Sequence, residues 1–335
     1  MGLKKISLKD IALELGVSKS LVSFVMNGKA KEMRVSDAMA EKIILKAKQI
    51  GYKANPMAQA LRTGKTQTIG LIVADISNSF YSKIARSIEN SASKNGYHVI
   101  FGSSDESGIK SKELINLFFA KRIDGLIISP TIEDKDHIVK LQEHGIPVVL
   151  IDRYFKDIKT NMVISNNLNG TFHIVKRLIE NGNKKIGFIT HNTITTATEY
   201  RVKGYQKALK KFGIPYDVDI IREVPHINNR IETENSVREL IELQKVDAIF
   251  FFNNTIALEG GKIIRDVNKK KLRNIEIGCF DSSSYLELLD VPYIAAVQQV
   301  EEIGNTAIKL LFLQMESKLN IITKKVLKVK LIDKL

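Results

Sequence analysis

The stretch LKDIALELGVSKSLVSFVMNG, from Leu8 to Gly28, decides the fold of the N-terminal part of this 335-residue chain. Its first half places apolar residues three and four positions apart, on one helix face: Leu8, Ile11, Ala12 and Leu15. Gly16 can adopt a positive φ at the turn that follows, and Ser18 is a candidate N-cap. A second helix then has its own apolar side: Val22, Val25 and Met26. The pattern predicts two short helices joined by a tight turn.

The outer side of the second helix carries Lys19, Ser20 and Ser23 near its N-terminus. A helix that presents short polar and cationic side chains in this way suits the DNA major groove. By spacing alone, the stretch also fits an ordinary helical hairpin. The charge favours the first interpretation, because residues 1–65 contain 13 Lys and Arg against 5 Asp and Glu and so hold +8 of the net charge of +14. Such a balance is typical of a module that binds phosphates.

The same stretch resembles the N-terminal helix-turn-helix of the LacI/GalR family of bacterial transcription regulators. The matching segments are Asp10-Ile11-Ala12, Gly16-Val17-Ser18, Val22-Ser23 and Asn27-Gly28. The resemblance implies that the second helix binds double-stranded operator DNA through this set: Ser18, Lys19, Ser20, Leu21, Ser23, Phe24 and Asn27. Lys19 and Ser20 are expected to contact base edges, and Ser18 and Ser23 to contact phosphates. Leu21 and Phe24 depart from the family, which often has Thr at the first position and Arg or His at the second.

A third helix and a linker follow this stretch. Ser36 is a candidate N-cap, and an apolar stripe then closes a three-helix headpiece over residues 1–54: Ile43, Ile44, Ala47 and Ile50. Residues 55–66 resemble the family's hinge helix, which orders only when two copies meet over operator DNA. The matching residues are Asn55, Ala58 and Leu61. Leu61 is expected to wedge into the central minor-groove step and kink the duplex. A plain linker is the alternative.

From Thr68 the chain alternates apolar segments of strand length with helical segments. The predicted strands form two series: 69–75, 97–105, 123–130 and 146–152, then 184–191, 219–224, 246–253 and 275–281. This alternation predicts an α/β domain over residues 67–335, made of two lobes with doubly wound parallel sheets. We expect the first lobe at about 67–166 and 297–322, and the second at about 167–296 and 323–335. The C-terminal ITKKVLKVKLIDKL predicts final strands and lacks the family's leucine-rich tetramerisation tail, which favours a dimer.

Polar and aromatic residues follow the carboxyl ends of these strands, where open parallel sheets bind ligands. This part resembles the family's effector domain and, more distantly, periplasmic sugar-binding proteins. The resemblance implies these effector contacts: Asn78, Phe80, Tyr81, Asp152, Arg153, Arg201, Asn254, Asp281 and Gln299. Carboxylates, amides and guanidiniums with aromatic walls suit a ligand rich in hydroxyl groups. A sugar phosphate or a sugar acid is an alternative, since Arg153 and Arg201 would accommodate its charge. We interpret the adjacent Asn253 and Gln298 as structural residues.

The composition excludes several other classes of protein. Hydrophobic residues make up 44% and charged residues 26%, which is ordinary for a globular protein, and no apolar run reaches the length of a membrane span. The N-terminal MGLKKISLKD has no hydrophobic segment behind its lysines, so we expect no secretory signal and a cytoplasmic location. A single cysteine, Cys279, excludes an intrachain disulfide, and the six histidines have no metal-ligand spacing. We expect no cofactor, no metal, no catalytic residue and no contact with membranes.

Together these features predict a homodimeric, sequence-specific DNA-binding regulator. We expect a repressor that a small sugar-like effector, bound between the lobes, releases from its operator. One alternative is a corepressor mechanism, in which a purine-like ligand tightens operator binding. Another is a sugar-binding receptor without a DNA role, which the headpiece opposes. An enzyme would turn over its ligand, whereas a regulator only binds it.

Overall fold

The computed structural model describes residues 6–52, 64–226, 229–270, 274–281, 284–316 and 321–335. Contacts between residues divide the chain into two compact units, Met1–Thr66 and Gln67–Leu335. The helix-turn-helix stretch lies in the first unit, and the alternating strands and helices lie in the second. Within the described ranges, every helix is too short or too polar to pass through a lipid bilayer.

The first unit contains α1 (Leu8–Leu15), α2 (Lys19–Met26) and α3 (Asp37–Gln49). Ser18 caps α2, since its Oγ accepts a hydrogen bond from the Leu21 N–H at 3.1 Å. Gly16 ends α1 in the left-handed region, with φ 66°. The predicted turn chemistry is therefore confirmed.

Side chains from all three helices form the core of this unit: Ile11, Ala12, Val22, Val25, Ile43 and Ala47. Ile44 was predicted to belong to the apolar stripe of α3 but is 52% exposed. The reason is geometric, because Ile43 and Ala47, four residues apart, already point at the core, and Ile44 is rotated away from them by about 100°.

Strands and helices alternate along the second unit. In chain order they are β1 (Thr68–Val73), α4 (Ser79–Ser93), β2 (His98–Ser103), α5 (Gly108–Ala120), β3 (Gly125–Ile128), α6 (Lys135–Glu143), β4 (Val148–Ile151), β5 (Asn161–Ser165), α7 (Asn167–Glu180), β6 (Ile186–His191), α8 (Thr196–Lys211), β7 (Ile221–Val224), α9 (Arg230–Glu242), β8 (Ala248–Phe251), α10 (Asn254–Lys269), β9 (Glu276–Phe280), α11 (Ser284–Glu287), β10 (Tyr293–Val297), α12 (Val300–Glu316), β11 (Lys324–Leu327) and β12 (Lys330–Lys334).

In the part of the chain that the structure describes, these strands form two six-stranded sheets with matching topology. The first has the order β11-β5-β4-β3-β1-β2 and the second the order β12-β10-β9-β8-β6-β7. All neighbours are parallel except β12, which runs antiparallel to β10. The predicted two-lobe α/β fold is confirmed, and each lobe packs helices on both faces of its sheet.

The C-terminal strands require one correction. β11 pairs with β5 in the first sheet, with Lys324 opposite Met162, so the last passage between the lobes comes after Leu327 and not at residue 323 as predicted. Only β12 joins the second sheet. The local pattern cannot assign these strands, since β11 pairs with a strand far earlier in the chain and β12, only a few residues later, joins the other sheet.

The carboxyl ends of the central strands point at the space between the lobes. Asp152 directly follows β4 and Asp281 directly follows β9, which hold equivalent places in the two sheets. Both aspartates have left-handed backbone conformations, with φ 65° and 67°. This abrupt change of direction ends each strand and leaves a carboxylate on each side of the cleft.

Candidate functional site

The candidate nucleic-acid interface of the first unit is the outer side of α2. Of the predicted contacts, Ser18, Lys19, Ser20 and Asn27 are exposed, and Ser23 and Phe24 are half-buried. Four of them share one helix face at spacings of three and four: Ser20, Ser23, Phe24 and Asn27. Leu21 differs from the rest, because it packs partly against the core of the unit.

Hydrogen bonds at both ends of α2 hold this face in place. The Asn27 side chain donates to the Ser23 carbonyl at 2.6 Å and to the Ser23 Oγ at 3.1 Å, which closes the last turn. At the other end, the Ser18 oxygen accepts from the backbone, and its own O–H can still donate to a phosphate oxygen. The predicted hinge residues, Asn55, Ala58 and Leu61, lie outside the described residues.

A cavity lies in the second unit, between its two lobes. Its lining is made mostly of polar and aromatic side chains: Asn78, Phe80, Tyr81, Asp152, Arg153, His191, Thr193, Thr195, Ala197, Thr198, Arg201, His226, Phe252, Asn253, Asp281 and Gln298. Seven of the nine residues predicted as effector contacts are among them. We call this cavity the interlobe cleft.

The first lobe contributes a buried tyrosine–aspartate pair. The Tyr81 hydroxyl donates to Asp152 Oδ2 at 2.8 Å, and its ring meets that of Phe80 edge to face, with centroids 4.9 Å apart. Burial raises the pKa of Tyr81 well above its ordinary value, although the nearby Arg153 lowers it. Tyr81 therefore stays protonated and keeps one Asp152 oxygen occupied. The Asn78 side chain caps α4 by accepting from the Phe80 N–H at 3.0 Å.

The second lobe contributes Arg201, which is almost completely buried. Its Nε donates to Asn167 Oδ1 at 2.8 Å and its Nη1 to the Phe252 carbonyl at 2.7 Å. The guanidinium also lies between two aromatic rings, 4.4 Å from the centroid of Phe252 and 3.7 Å from that of Phe280. These contacts fix the guanidinium in one orientation at the side of the cleft.

Asp281, in the same lobe, lies beside Gln298. The Gln298 amide donates to both carboxylate oxygens, at 3.0 and 3.1 Å. Burial raises the pKa of Asp281 to about 6, against the opposing effect of Arg201. The sequence predicts Gln299 as the contact here and a structural role for Gln298. In the structure, Gln298 lines the cleft, and Gln299 donates instead to the Lys328 carbonyl at 2.8 Å.

Two neighbouring asparagines show the same one-residue displacement. Asn254, predicted as an effector contact, is not part of the lining; it donates to Asn78 Oδ1 and Ser79 Oγ, both at 3.3 Å, and so connects the two lobes. Asn253, interpreted as structural, lines the cleft. Its Oδ1 caps α10 through two backbone N–H groups, and its Nδ2 donates to His191 Nε2 at 3.1 Å.

Sequence reasoning missed two histidines and a glutamate. The rings of His191 and His226 lie 4.8 Å apart, and His226 Nε2 is 3.6 Å from Glu106 of the other lobe. Burial, and then the proximity of His226, lower the pKa of His191 to about 4, so this side chain is neutral at physiological pH. His191 ends a predicted strand and His226 follows another, so the strand-end rule could have found both.

Two family models match this chain. The model described as "Bacterial regulatory proteins, lacI family" matches residues 7–55, and the one described as "Periplasmic binding proteins and sugar binding domain of LacI family" matches residues 66–321. The chain belongs to the LacI family. It is a DNA-binding transcriptional regulator, and the family model for the headpiece covers the stretch that predicted this function.

Relatives of this LacI-family regulator match nearly its full length. Catabolite control protein A of Priestia megaterium is 30% identical over 91% of this chain and 91% of its own length. The HTH-type transcriptional repressor CytR of Escherichia coli K12 is 29% identical, over 92% of this chain and 90% of its own. Among solved structures, the lac repressor dimer bound to operator and the anti-inducer ONPF has a TM-score of 0.85 at 22% identity, covering 98% of each chain. That structure supports the fold.

Proposed function

We propose that this LacI-family regulator is a cytoplasmic, homodimeric repressor, and that a small hydroxyl-rich effector bound in the interlobe cleft releases it from its operator. The observation that carries the proposal is the composition of the cleft. Each lobe supplies buried polar groups and aromatic surface, and Asp152 and Asp281 face it from opposite sides. Carboxylates accept from sugar hydroxyls, and rings cover the apolar faces of sugars.

On the DNA side, two copies of α2 read the halves of a pseudo-palindromic site. Lys19 and Ser20 contact base edges, and Ser18 and Ser23 bind phosphates. Phe24 offers an apolar contact, for example to a thymine methyl group. A second copy of the chain fits the first lobe, because β2 is the edge strand of its sheet and exposes Phe101, with Leu117 exposed on the neighbouring α5.

The effector acts by changing the relative position of the lobes. Contacts such as the Tyr154 N–H to Thr196 Oγ1 hydrogen bond, at 3.2 Å, join the lobes beside the cleft. A ligand that bonds to both lobes favours one arrangement over the other, and the hinge segments of the dimer then separate. We propose that the cleft binds its effector and does not convert it chemically. Repression by a purine-like corepressor is the rival, and it predicts the opposite sign of the effect on operator affinity.

A thermal-shift panel of pentoses, hexoses and nucleobases tests the effector class on the full chain. We expect a sugar to raise the melting temperature, because ligand at a hundredfold excess over Kd stabilises the native state by about 2.7 kcal/mol. Tyr81→Phe should reduce that shift by disturbing Asp152. Tyr216→Phe is the matched control, since Tyr216 is exposed. A panel in which nucleobases alone stabilise the protein contradicts the proposal.

A further inference from the structure

We propose that Glu106 restricts the interlobe cleft to uncharged effectors and excludes sugar phosphates and sugar acids. The inference rests on the proposed effector site and names the chemical class of its ligand. The lining contains two arginines, Arg153 and Arg201. Free guanidinium groups would make the cleft a site for phosphate or carboxylate, since their paired donors match these anions.

The donors of Arg153 already face carboxylates. Its Nη1 donates to Glu106 Oε2 at 2.5 Å, and its Nη2 donates to Glu106 Oε1, so the pair is bidentate. Its Nε lies 3.4 Å from Asp152 Oδ2, an ion-pair contact without a hydrogen bond. The side chains of Glu106 and Arg153 are 7% and 10% exposed, so solvent screens this pair only weakly. An incoming anion would have to displace a buried carboxylate of the protein itself.

Glu106 carries a negative charge near neutral pH. Burial alone would raise the pKa of its carboxyl group, but Arg153, with a smaller effect from His226, holds that pKa below its ordinary value. The residue is in the loop after β2, with φ 57°. The side chains that face the pair from the second lobe are His226 and His191, and burial lowers the pKa of both, so neither supplies a cation near neutral pH.

Arg201 does not take over the anion-binding role that Arg153 lacks. Two of its nitrogens bond to Asn167 and the Phe252 carbonyl, and two rings cover its faces. The described lining contains no lysine, and it holds Asp152 and Asp281 in addition to the adjoining Glu106. Three carboxyl groups therefore accompany two guanidiniums that already have partners. A neutral polyhydroxylated ligand meets no repulsion there, whereas a phosphate does.

Replacing Glu106 tests this inference through a gain of binding. Glu106→Gln keeps the size of the side chain but removes its charge, which frees donors of Arg153. We expect the full-length variant to bind inorganic phosphate at least about tenfold more tightly than the wild type, by calorimetry at constant ionic strength. The matched control is Glu239→Gln, which makes the same change in the more exposed Arg222–Glu239 pair at the surface. It should leave phosphate binding unchanged.

A double variant and the wild type complete the experiment. Adding Arg153→Gln to Glu106→Gln should abolish the gained phosphate binding, because the freed cation is then removed. Wild-type protein should bind the sugar found in the thermal-shift panel but not its phosphate ester, and this comparison decides the matter if Glu106→Gln does not fold. The inference is overturned by equal phosphate binding in wild type and variant, by a gain that survives in the double variant, or by wild-type preference for the ester. If no sugar binds the wild type, the proposed effector fails, while the phosphate titrations still decide the role of Glu106.

Discussion

Several buried polar atoms of the cleft region have no hydrogen-bond partner among the described residues. Gln298 Oε1, on a side chain that lines the cleft, is one of them. Leaving such an acceptor unpaired costs about 1–3 kcal/mol, so a ligand whose hydroxyl groups donate to it gains affinity. Asp281, beside Gln298, provides a further acceptor whenever it is ionised. The acceptors of the second lobe thus favour a ligand with several hydroxyl donors.

The pKa of Asp281 makes effector binding dependent on pH. Burial raises this pKa to about 6, so the carboxyl group is ionised above that pH and accepts hydroxyl donors there. As the pH falls through about 6, the group becomes protonated, and we expect effector affinity to fall by about tenfold per pH unit below the pKa. Calorimetric titration between about pH 8 and about pH 5 measures this slope.

Two variants identify the titrating group. Asp281→Asn should bind more weakly and show no slope. His226→Gln should retain the slope, which would show that this histidine, whose pKa burial lowers, is not the titrating group. A wild-type affinity that does not change with pH, or a slope that persists in Asp281→Asn, contradicts the assignment.

Sequence could predict the place of the site better than its exact residues. The strand-end rule found Asp152 and Asp281, because each directly follows an apolar strand. It placed Gln299 and Asn254 one residue away from the lining side chains, since adjacent residues at a strand end point in different directions. Glu106 was not predicted, because its partner Arg153 is 47 residues away and only the folded sheet brings them together.

Short capped helices form the headpiece, and the turn between α1 and α2 depends on one glycine. Gly16 has φ 66°, and no atom lies within 4 Å of the position of an added Cβ. A substitution there would therefore strain the backbone without causing a steric clash. Helices α1 and α2 have only eight residues each, so they depend on this turn and on their shared core.

We expect Gly16→Ala to destabilise the headpiece by about 1 kcal/mol, because an L-residue pays this cost in the left-handed region. Amide hydrogen exchange in the full chain should show protection at Ile11 and Val22 lowered by about fivefold. Gly213→Ala is the matched control, with φ 69° and equally open space, but in the second unit. Unchanged protection in Gly16→Ala would refute the role of this turn.

The hinge assignment concerns residues outside the described ranges and depends on the motif. Leu61→Ala should weaken operator binding and reduce the bend in the DNA, because the side chain that opens the central base step is shortened. Fluorescence energy transfer between the ends of a labelled operator measures the bend. Leu13→Ala makes the same change at a position that is 70% exposed on α1 and should leave the bend unchanged. Equal bending by Leu61→Ala and wild type rejects the hinge.

For the whole molecule, the two matching sheets explain how one ligand can affect both lobes. The chain passes between the lobes after β5, after β10 and after β11, so three segments connect them within the described residues. Local pattern predicted the lobes, since buried parallel strands are continuous apolar runs. It could not predict the last passage, because β11 is mostly exposed and its place beside β5 is set by pairing with distant residues.

The central claim is that the effector lowers the affinity for the operator, and the operator lowers the affinity for the effector. Fluorescence anisotropy of a labelled operator, titrated with the full-length protein with and without the saturating sugar, tests it most directly. We predict that the sugar weakens operator binding by at least about tenfold, and that operator weakens sugar binding by the same factor. Operator affinity that is unchanged, or that increases, at saturating sugar would contradict the account.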